Sequence, residues 1–462
     1  MDINETFRSL NVGLPGDILR RKLCGDFDGA VRLIDQRLAQ AGTPRSLRDC
    51  LTAQREMILR TPEDYPFTRE EALVQLRRHI PDFTDAEFDQ WVDEGRIGWI
   101  YIGGEPRYFD RFFETLHDTD LAYARRANLP QKAKTVGEGG EDYLDRCCRL
   151  MGERGSLGNR VRIRASIRMK DGLFTPGMFL RAHLPIPAAC EQQSGIAIEE
   201  LSPGGSAAPE AAPQRTVCWE GTWRENPEFT VTYSYIHTAR YHDLSVPGTE
   251  PLLSEEELAP FLVEENPHIV FTPYIRALAA QLTEGAEDPL EKARRIYDFI
   301  TLNMHYSFMP AYFILEDIAE SCARNFCGDC GVFGLLFITL CRCAGIPAQW
   351  QSGLTAEPDH SCGCHDWTRF YIPGRGWLYA DPSYGISAAR KGKEDRRRFY
   401  FANIDPYRMV ANSRFQAPFT VEKVHWRADP YDNQTGELET ADRGLRYEEF
   451  DCTKEVLLFE EL

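Results

Sequence analysis

The stretch from Asn325 to Gly353 reads NFCGDCGVFGLLFITLCRCAGIPAQWQSG, and residues 364–385 read CHDWTRFYIPGRGWLYADPSYG. Between Gly331 and Ala344 nearly every residue is apolar, and Arg342 is the only charge. A helix that is apolar on all sides is buried in the middle of its domain, so we predict a buried helix here. The Gly-Ile-Pro sequence at 345–347 ends it, because glycine suits left-handed backbone and proline cannot continue a helix.

Cys330 stands at the start of this predicted helix. The unpaired backbone N–H groups and the dipole of a helix N-terminus favour an anion, and so they favour a thiolate. The thiolate is the nucleophilic form of cysteine. Gly328 and Gly331 flank the thiol and allow the backbone to approach a substrate closely. This arrangement points to nucleophilic chemistry at Cys330.

A β-hairpin follows the helix. Residues 365–371 and 377–380 read as its two strands, joined by a Pro-Gly turn, and Asp381 ends the second strand. A catalytic histidine needs a partner for its second ring nitrogen to hold the correct tautomer. Asp381 is the candidate partner of His365.

The register of the hairpin decides whether this pairing is feasible. A plain four-residue loop places Asp381 opposite Thr368, on the wrong face of the sheet. One extra residue places Asp381 opposite Trp367, on the same face as His365. We therefore predict a bulge or an odd-length loop in this hairpin.

Several short motifs together resemble the core of the transglutaminase-like superfamily. The resemblance is close over about residues 260–390 and extends loosely to residues 158–245. The motifs are Gly328-Asp-Cys330, Leu340-Cys-Arg342, Gly345-Ile-Pro-Ala348, His365-x-Trp367, Tyr371-Ile-Pro-Gly374, Gly376-Trp377 and Asp381-Pro-Ser383.

The resemblance implies an α+β fold with a papain-like transglutaminase core, in which a buried helix carrying the cysteine packs on an antiparallel sheet. It implies Cys330 as the nucleophile, His365 as the general base and then acid, and Asp381 as the orienting carboxylate. Asp329 and Asp366, beside these residues, are interpreted as turn and edge residues. The superfamily includes protein crosslinkers, peptidases and deglycosylating amidases, which share a thioester intermediate, so the resemblance does not identify the substrate.

Seven of the fourteen cysteines lie between Cys322 and Cys364, which the resemblance leaves unexplained. One alternative is a metal-binding or redox domain, with His365 as a further ligand and Cys327 as a thiol that resolves oxidised Cys330. We favour no metal and no cofactor, because the spacing is irregular for a structural zinc site. The thiols of this alternative are Cys327, Cys330, Cys362 and Cys364.

Composition limits the class of protein. The chain has 462 residues and 43% hydrophobic residues, enough for two to four domains at about 100–200 residues each. A net charge of −18 argues against binding nucleic acid or an anionic membrane surface. The N-terminal sequence has no signal-peptide pattern, and no run of about 18 apolar residues occurs. The expected location is cytoplasmic, and the oligomeric state is left open.

We predict four domains. Residues 1–150 form a mainly helical accessory domain, in which 65–112 resemble a winged helix: two capping boxes open helices and a Gly-Gly hairpin follows. Residues 158–245, with period-two alternation, form a β-sandwich. Residues 250–415 form the catalytic core. Residues 416–462 form a β extension with a strand-like start at Phe419–Trp426 and an acidic end.

The leading hypothesis is a cysteine-dependent acyl-transfer enzyme that acts on peptide or side-chain amides of a protein or peptide. Hydrolysis is favoured over crosslinking. The second hypothesis is a catalytically inactive papain-like module that binds a partner, against which the intact set of Cys330, His365 and Asp381 counts.

Overall fold

The computed structural model describes residues 3–128, 135–136 and 140–462. The predicted 1–150 domain therefore includes residues that lie outside the described ones. The helices are α1 Ile3–Arg8, α2 Gly16–Leu23, α3 Phe27–Leu38, α4 Arg45–Asp64, α5 Arg69–His79, α6 Asp85–Asp93, α7 Phe112–Thr119, α8 Leu121–Arg126, α9 Tyr143–Arg154, α10 Glu255–Leu258, α11 Pro273–Leu282, α12 Pro289–Asn303, α13 Ile318–Asn325, α14 Cys330–Cys343, α15 Pro382–Arg390 and α16 Glu394–Phe399.

Strands occupy the middle and the C-terminal part of the chain. They are β1 Trp99–Ile102, β2 Glu105–Tyr108, β3 Thr135–Val136, β4 Glu141–Asp142, β5 Ser156–Met169, β6 Met178–Pro185, β7 Gln193–Leu201, β8 Ser206–Ala207, β9 Thr216–Trp223, β10 Phe229–Arg240, β11 His305–Tyr306, β12 Cys327–Gly328, β13 Ala348–Ala356, β14 Cys362–Ile372, β15 Gly376–Ala380, β16 Phe401–Ala402, β17 Arg408–Asn412, β18 Glu437–Thr440 and β19 Phe450–Glu461. No described helix has both the length and the apolar character that a membrane span requires.

The chain divides into two compact units. The first comprises residues 1–133, 265–270 and 305–329, and the second comprises residues 134–264, 271–304 and 330–462. The division into four domains stays a prediction. The second unit contains Cys330, His365 and Asp381, the residues predicted to be catalytic.

The first unit is mainly helical. Both capping boxes are present: the Thr68 and Thr84 hydroxyls each accept a hydrogen bond from the backbone N–H of the glutamate three residues later, and that glutamate's carboxylate accepts one from the threonine backbone N–H. β1 and β2 pair as an antiparallel hairpin, with a two-residue Gly103-Gly104 turn in left-handed backbone. The two helices and the hairpin predicted here are therefore confirmed, whereas the winged-helix resemblance stays a prediction.

A β-sandwich forms one part of the second unit. One sheet has the strand order β19-β5-β10-β7, and the other has the order β18-β6-β9-β8. The predicted strands at 161–168, 178–184 and 229–235 are all present. The C-terminal strands β18 and β19 pair with β6 and β5 and so extend both sheets. The tail is thus part of the sandwich.

The strand predicted at Phe419–Trp426 is wrong, because this segment is irregular. Its backbone donors bind a side chain instead of a neighbouring strand. The Val424 and His425 N–H groups donate to the Glu439 carboxylate at 3.1 and 2.9 Å, respectively. The ammonium group of buried Lys423 lies 2.7 Å from Glu437. Carboxylates therefore satisfy donors that a strand would pair with carbonyls.

The other part of the second unit is an antiparallel five-stranded sheet with the order β16-β15-β14-β13-β17. The predicted buried helix is α14, whose residues from Gly331 to Arg342 are all buried. A Cβ added at Gly334 would lie 3.4 Å from both Thr368 on β14 and Trp350 on β13. The helix therefore packs directly on the sheet, as the α+β prediction requires, and it ends where Gly345 adopts left-handed backbone.

The buried histidines of the sandwich predict acid sensitivity. Burial lowers the pKa of His183 and of His237 to about 3, well below the ordinary 6.5. The unfolded chain therefore binds more protons between these values, so stability present above pH 6.5 is lost as the pH falls toward 3. Each histidine removes about 1.4 kcal/mol per pH unit in this window.

Urea unfolding at pH 7.5 and pH 5 tests this effect. His237→Phe is expected to retain about 2 kcal/mol more of its pH 7.5 stability at pH 5 than the wild type. His360→Gln, at an exposed position, is the control and is expected to follow the wild type. Equal losses in the wild type and His237→Phe would show that His237 does not cause the acid sensitivity.

Candidate active site

The nucleophile candidate Cys330 is the first residue of α14. The start of the buried helix is therefore where the apolar run predicted it to be. The thiol is partly buried, and its Sγ lies 3.2 Å from Oδ2 of Asp366 on β14. A carboxylate accepts hydrogen bonds, so the thiol donates to Asp366.

His365 and Asp381 meet as the sequence predicted. Nε2 of His365 lies 2.8 Å from Oδ2 of Asp381, and both side chains are buried. The hairpin has a regular register from Thr368↔Ala380 to Ile372↔Gly376, so its loop has three residues. This odd-length loop, which needs no bulge, confirms the predicted register. The next position of the ladder sets Asp381 against Trp367, on the face of His365.

Three groups hold the Asp381 carboxylate. Besides His365, the Tyr384 N–H donates to Oδ1 at 2.9 Å, because Asp381 is the N-cap of α15. The Arg408 guanidinium lies 2.8 Å from Oδ2 in a fully buried ion pair. The second partner of Arg408 is Asp405, at 2.5 Å.

The charges of this cluster support one another. Burial alone would raise the pKa of Asp381, but the charges of His365 and Arg408 outweigh burial and lower it. Burial alone would lower the pKa of Arg408, but Asp405 and Asp381 raise it well above its ordinary value. Asp381 therefore stays a carboxylate at neutral pH and orients the His365 ring.

Aromatic rings enclose the histidine. The Tyr384 ring centroid lies 4.8 Å from that of His365, and the Trp367 ring is stacked with it at 6.2 Å. The Arg408 guanidinium lies 4.6 Å from the centre of the Tyr384 ring and 5.2 Å from that of Trp367. These contacts restrict the orientation of the imidazole and exclude water from its partner carboxylate.

The interpretation of Asp366 as an edge residue is wrong. Asp366 is buried, and besides accepting from the Cys330 thiol it accepts a hydrogen bond from Nε2 of Gln434. Gln434 comes from the C-terminal segment, 68 positions away. The alternation of β14 explains the burial, because residue 366 lies on the same face as Thr368, which packs on α14.

Other residues near the site were also missed from the sequence. Tyr384 carries a weak signal, since it is three residues after Asp381 and its backbone N–H is the one that an N-cap carboxylate accepts from. Arg408, Asp405 and Gln434 carry no local signal, because their partners are distant in sequence or their charges are buried.

The clustered cysteines do not form a metal site in the described residues, which hold no group of three or more His, Cys, Asp or Glu side chains suited to an ion. None of the fourteen cysteines, all of which lie in the described part of the chain, forms a disulfide. The exposed Cys364 lies 3.5 Å from the Thr435 hydroxyl. The buried Cys341 has a pKa raised well above its ordinary value by burial, as expected for an inert core thiol.

Residues 276–382, which include α14 and the hairpin, match the family model of the transglutaminase-like superfamily. This segment is a transglutaminase-like domain. It contains Cys330, His365 and Asp381. The assignment of catalytic roles to these three residues stays a prediction.

Part of the chain is similar to a curated bacterial protein. The uncharacterized protein YebA of Bacillus subtilis is 24% identical over 131 residues, which are 24% of this chain and 18% of YebA. The chain thus spans less than a fifth of that relative's length.

Two solved structures are also similar to the chain. A protein from Cytophaga hutchinsonii, proposed to be a cysteine protease, has a TM-score of 0.40 at 14% identity, over 66% of this chain and 91% of the other. The periplasmic domain of TgpA from Pseudomonas aeruginosa has a TM-score of 0.30 at 16% identity, over 54% of this chain and 95% of that domain.

Proposed function

We propose that the protein is a cysteine-dependent acyl-transfer enzyme that attacks a peptide or side-chain amide and forms a thioester on Cys330. The observation that carries the proposal is the 2.8 Å contact between His365 and the fully buried Asp381 in a transglutaminase-like domain. Cys330 supports it, since the thiol begins a buried helix; among the described contacts, this thiol meets Asp366, the residue after His365 on β14, and not His365 itself.

The hydrogen bonds define the proton path. Asp381 is a carboxylate and accepts from His365 Nε2–H, so in the neutral form of the imidazole Nδ1 carries the lone pair. In the proposed mechanism Nδ1 takes the Cys330 proton as the sulfur attacks the amide carbonyl carbon. The Cys330 N–H, at the start of α14, stabilises the oxyanion. The imidazolium then protonates the leaving amine, and a thioester remains.

The second half of the reaction uses the same histidine. Nδ1 takes a proton from water, the resulting hydroxide attacks the thioester carbonyl, and the thiolate of Cys330 leaves. His365 returns the proton to this thiolate, and the acid is released. With a primary amine in place of water the product is a crosslinked amide. We propose hydrolysis as the main reaction, on a protein or peptide substrate, with no nucleic acid, membrane or cofactor. The cytoplasmic location stays a prediction.

Active-site labelling tests the proposal. A peptide halomethyl ketone is expected to modify one cysteine of the wild type, identified by mass spectrometry, and Cys330→Ala is expected to abolish the labelling and all amide hydrolysis. Cys364→Ala is the matched control, because it removes an exposed thiol and is expected to leave both readouts unchanged.

Each failure has a distinct meaning. Labelling of Cys330→Ala at another cysteine, with amide hydrolysis retained, would contradict the proposed nucleophile. Assays with and without an added primary amine separate the two reactions: hydrolysis releases a free acid, whereas transfer joins the amine to the acyl group. A product made only of the amide would contradict the preference for hydrolysis.

A further inference from the structure

A network of hydrogen bonds, in which the donors converge on two carboxylates, includes the Cys330 thiol. Nδ2 of Asn412 donates to the Ser352 hydroxyl at 3.0 Å, and this hydroxyl donates to Oδ2 of Asp432 at 2.5 Å. Gln434 donates to the same Asp432 oxygen at 2.7 Å. Its Nε2 also donates to Oδ1 of Asp366, whose Oδ2 accepts from Cys330.

The orientation of Gln434 follows from its neighbours. Its amide lies between two carboxylates, those of Asp366 and Asp432. Nε2 has two N–H donors, one for each carboxylate, whereas the amide oxygen would repel both. The contacted oxygens of both acids are therefore acceptors. Asp366 is left with Oδ2 as an acceptor for the proton of Cys330.

We propose that Asp366, held by Gln434, is a positioning residue that keeps Cys330 a neutral thiol in the substrate-free protein. A carboxylate at 3.2 Å from the sulfur opposes a second negative charge there and retains the thiol proton by a hydrogen bond. The inference rests on the proposed function, because it concerns the protonation of the proposed nucleophile. It adds a residue that the three predicted catalytic residues do not include.

Several charges act on this thiol. The N-terminus of α14 favours the thiolate through its dipole, and His365 favours it when protonated. Asp366 from β14 opposes the thiolate, with Asp432 behind Gln434 adding to its effect. Asp329, the preceding residue, is an acidic group that binds the Tyr312 hydroxyl. Among these groups, Asp366 is the one whose contact with the sulfur is described, at 3.2 Å.

The consequence is that the nucleophilic thiolate forms only when a substrate occupies the site. In the resting protein the S–H group points to Asp366, so a small alkylating reagent meets a thiol with little thiolate. During the proposed reaction the sulfur must leave Asp366 and bring its proton to His365, because these successive residues of β14 face opposite sides of the strand. A substrate that displaces the thiol from Asp366 would start this transfer. Asp366 would thus suppress reaction of Cys330 with reagents that do not fill the site.

Alkylation by iodoacetamide tests the inference without turnover. The rate of Cys330 modification, followed by mass spectrometry from pH 5 to 10, is expected to rise roughly tenfold at pH 7 in Asp366→Asn, with its pH profile shifted by about one unit to lower pH. Asp366→Glu keeps the charge and is expected to keep the wild-type profile. Asp171→Asn, an exposed carboxylate of the sandwich, is the control.

The possible results are separable. The inference would be overturned if folded Asp366→Asn were alkylated at an unchanged or slower rate with an unchanged pH profile. An unchanged rate would mean that Asp366 has no influence on the thiol. A slower rate would mean that Asp366 carries the proton and stabilises the thiolate. Gln434→Leu, expected to accelerate alkylation less than Asp366→Asn does, keeps the test open if Asp366→Asn fails to fold. A different result would contradict the proposed function, namely amide hydrolysis that persists in Cys330→Ala.

Discussion

Asp381→Asn is expected to lower kcat/KM for amide hydrolysis by about 10⁴-fold, the size of effect seen when a triad carboxylate becomes an amide. The carboxylate fixes the His365 tautomer by accepting from Nε2–H at 2.8 Å. An asparagine amide at this position can donate to Nε2, which moves the ring proton to Nδ1. Nδ1 then cannot take the proton of Cys330, so the general base is lost although the ring remains in place.

The measurement is kcat/KM on a peptide amide, with circular dichroism and urea unfolding to verify the fold. Asp405→Asn is the matched control, since it removes the other carboxylate of Arg408 without touching His365. The control is expected to lose stability but to keep kcat/KM within about tenfold of the wild type, because the tautomer of His365 is unchanged. If Asp381→Asn kept a tenth or more of the wild-type activity, Asp381 would not be the orienting carboxylate.

The parts of the site that sequence predicted depend on local pattern. The apolar run after Cys330 predicted a helix buried on every side, and α14 is such a helix. Strand alternation and loop length predicted that Asp381 reaches His365 only with an odd-length loop, and the loop has three residues. Both rules act within about twenty residues, where backbone geometry fixes which side chains share a face.

The parts that sequence missed depend on distant contacts. Sequence alone does not place Asp366 in the interior, because a charged side chain is seldom buried unless it is paired. Its partner Gln434 lies 68 positions away in an irregular segment, so no spacing rule connects them. Arg408 likewise reads as an ordinary strand cation, and only the assembled sheet places it against Asp381. The segment 419–426 has a strand-like composition, but side-chain carboxylates satisfy its donors at Val424 and His425.

Arg408→Met is expected to lower the free energy of unfolding by about 3–5 kcal/mol, the cost of removing one partner of a buried ion pair. Arg408 is fully buried between Asp381 and Asp405, at 2.8 and 2.5 Å, respectively. Methionine fills most of the space next to Tyr384, so the loss reflects uncompensated charge more than a cavity. Two carboxylates are then left in the core without the guanidinium. Protonation of Asp381 would relieve this charge, but a protonated Asp381 no longer serves His365 as a carboxylate acceptor.

Urea unfolding at pH 7.5 measures the loss. Arg398→Met is the matched control, because its guanidinium is 69% exposed and pairs with Glu394 four residues earlier, a contact worth about 0–1 kcal/mol. The double variant Arg408→Met with Asp405→Asn is expected to recover part of the loss, since it removes one unpaired carboxylate. A loss below about 1 kcal/mol in Arg408→Met would mean that the two aspartates are neutralised without Arg408. Another group would then have to stabilise the carboxylate form of Asp381, on which the proton path depends.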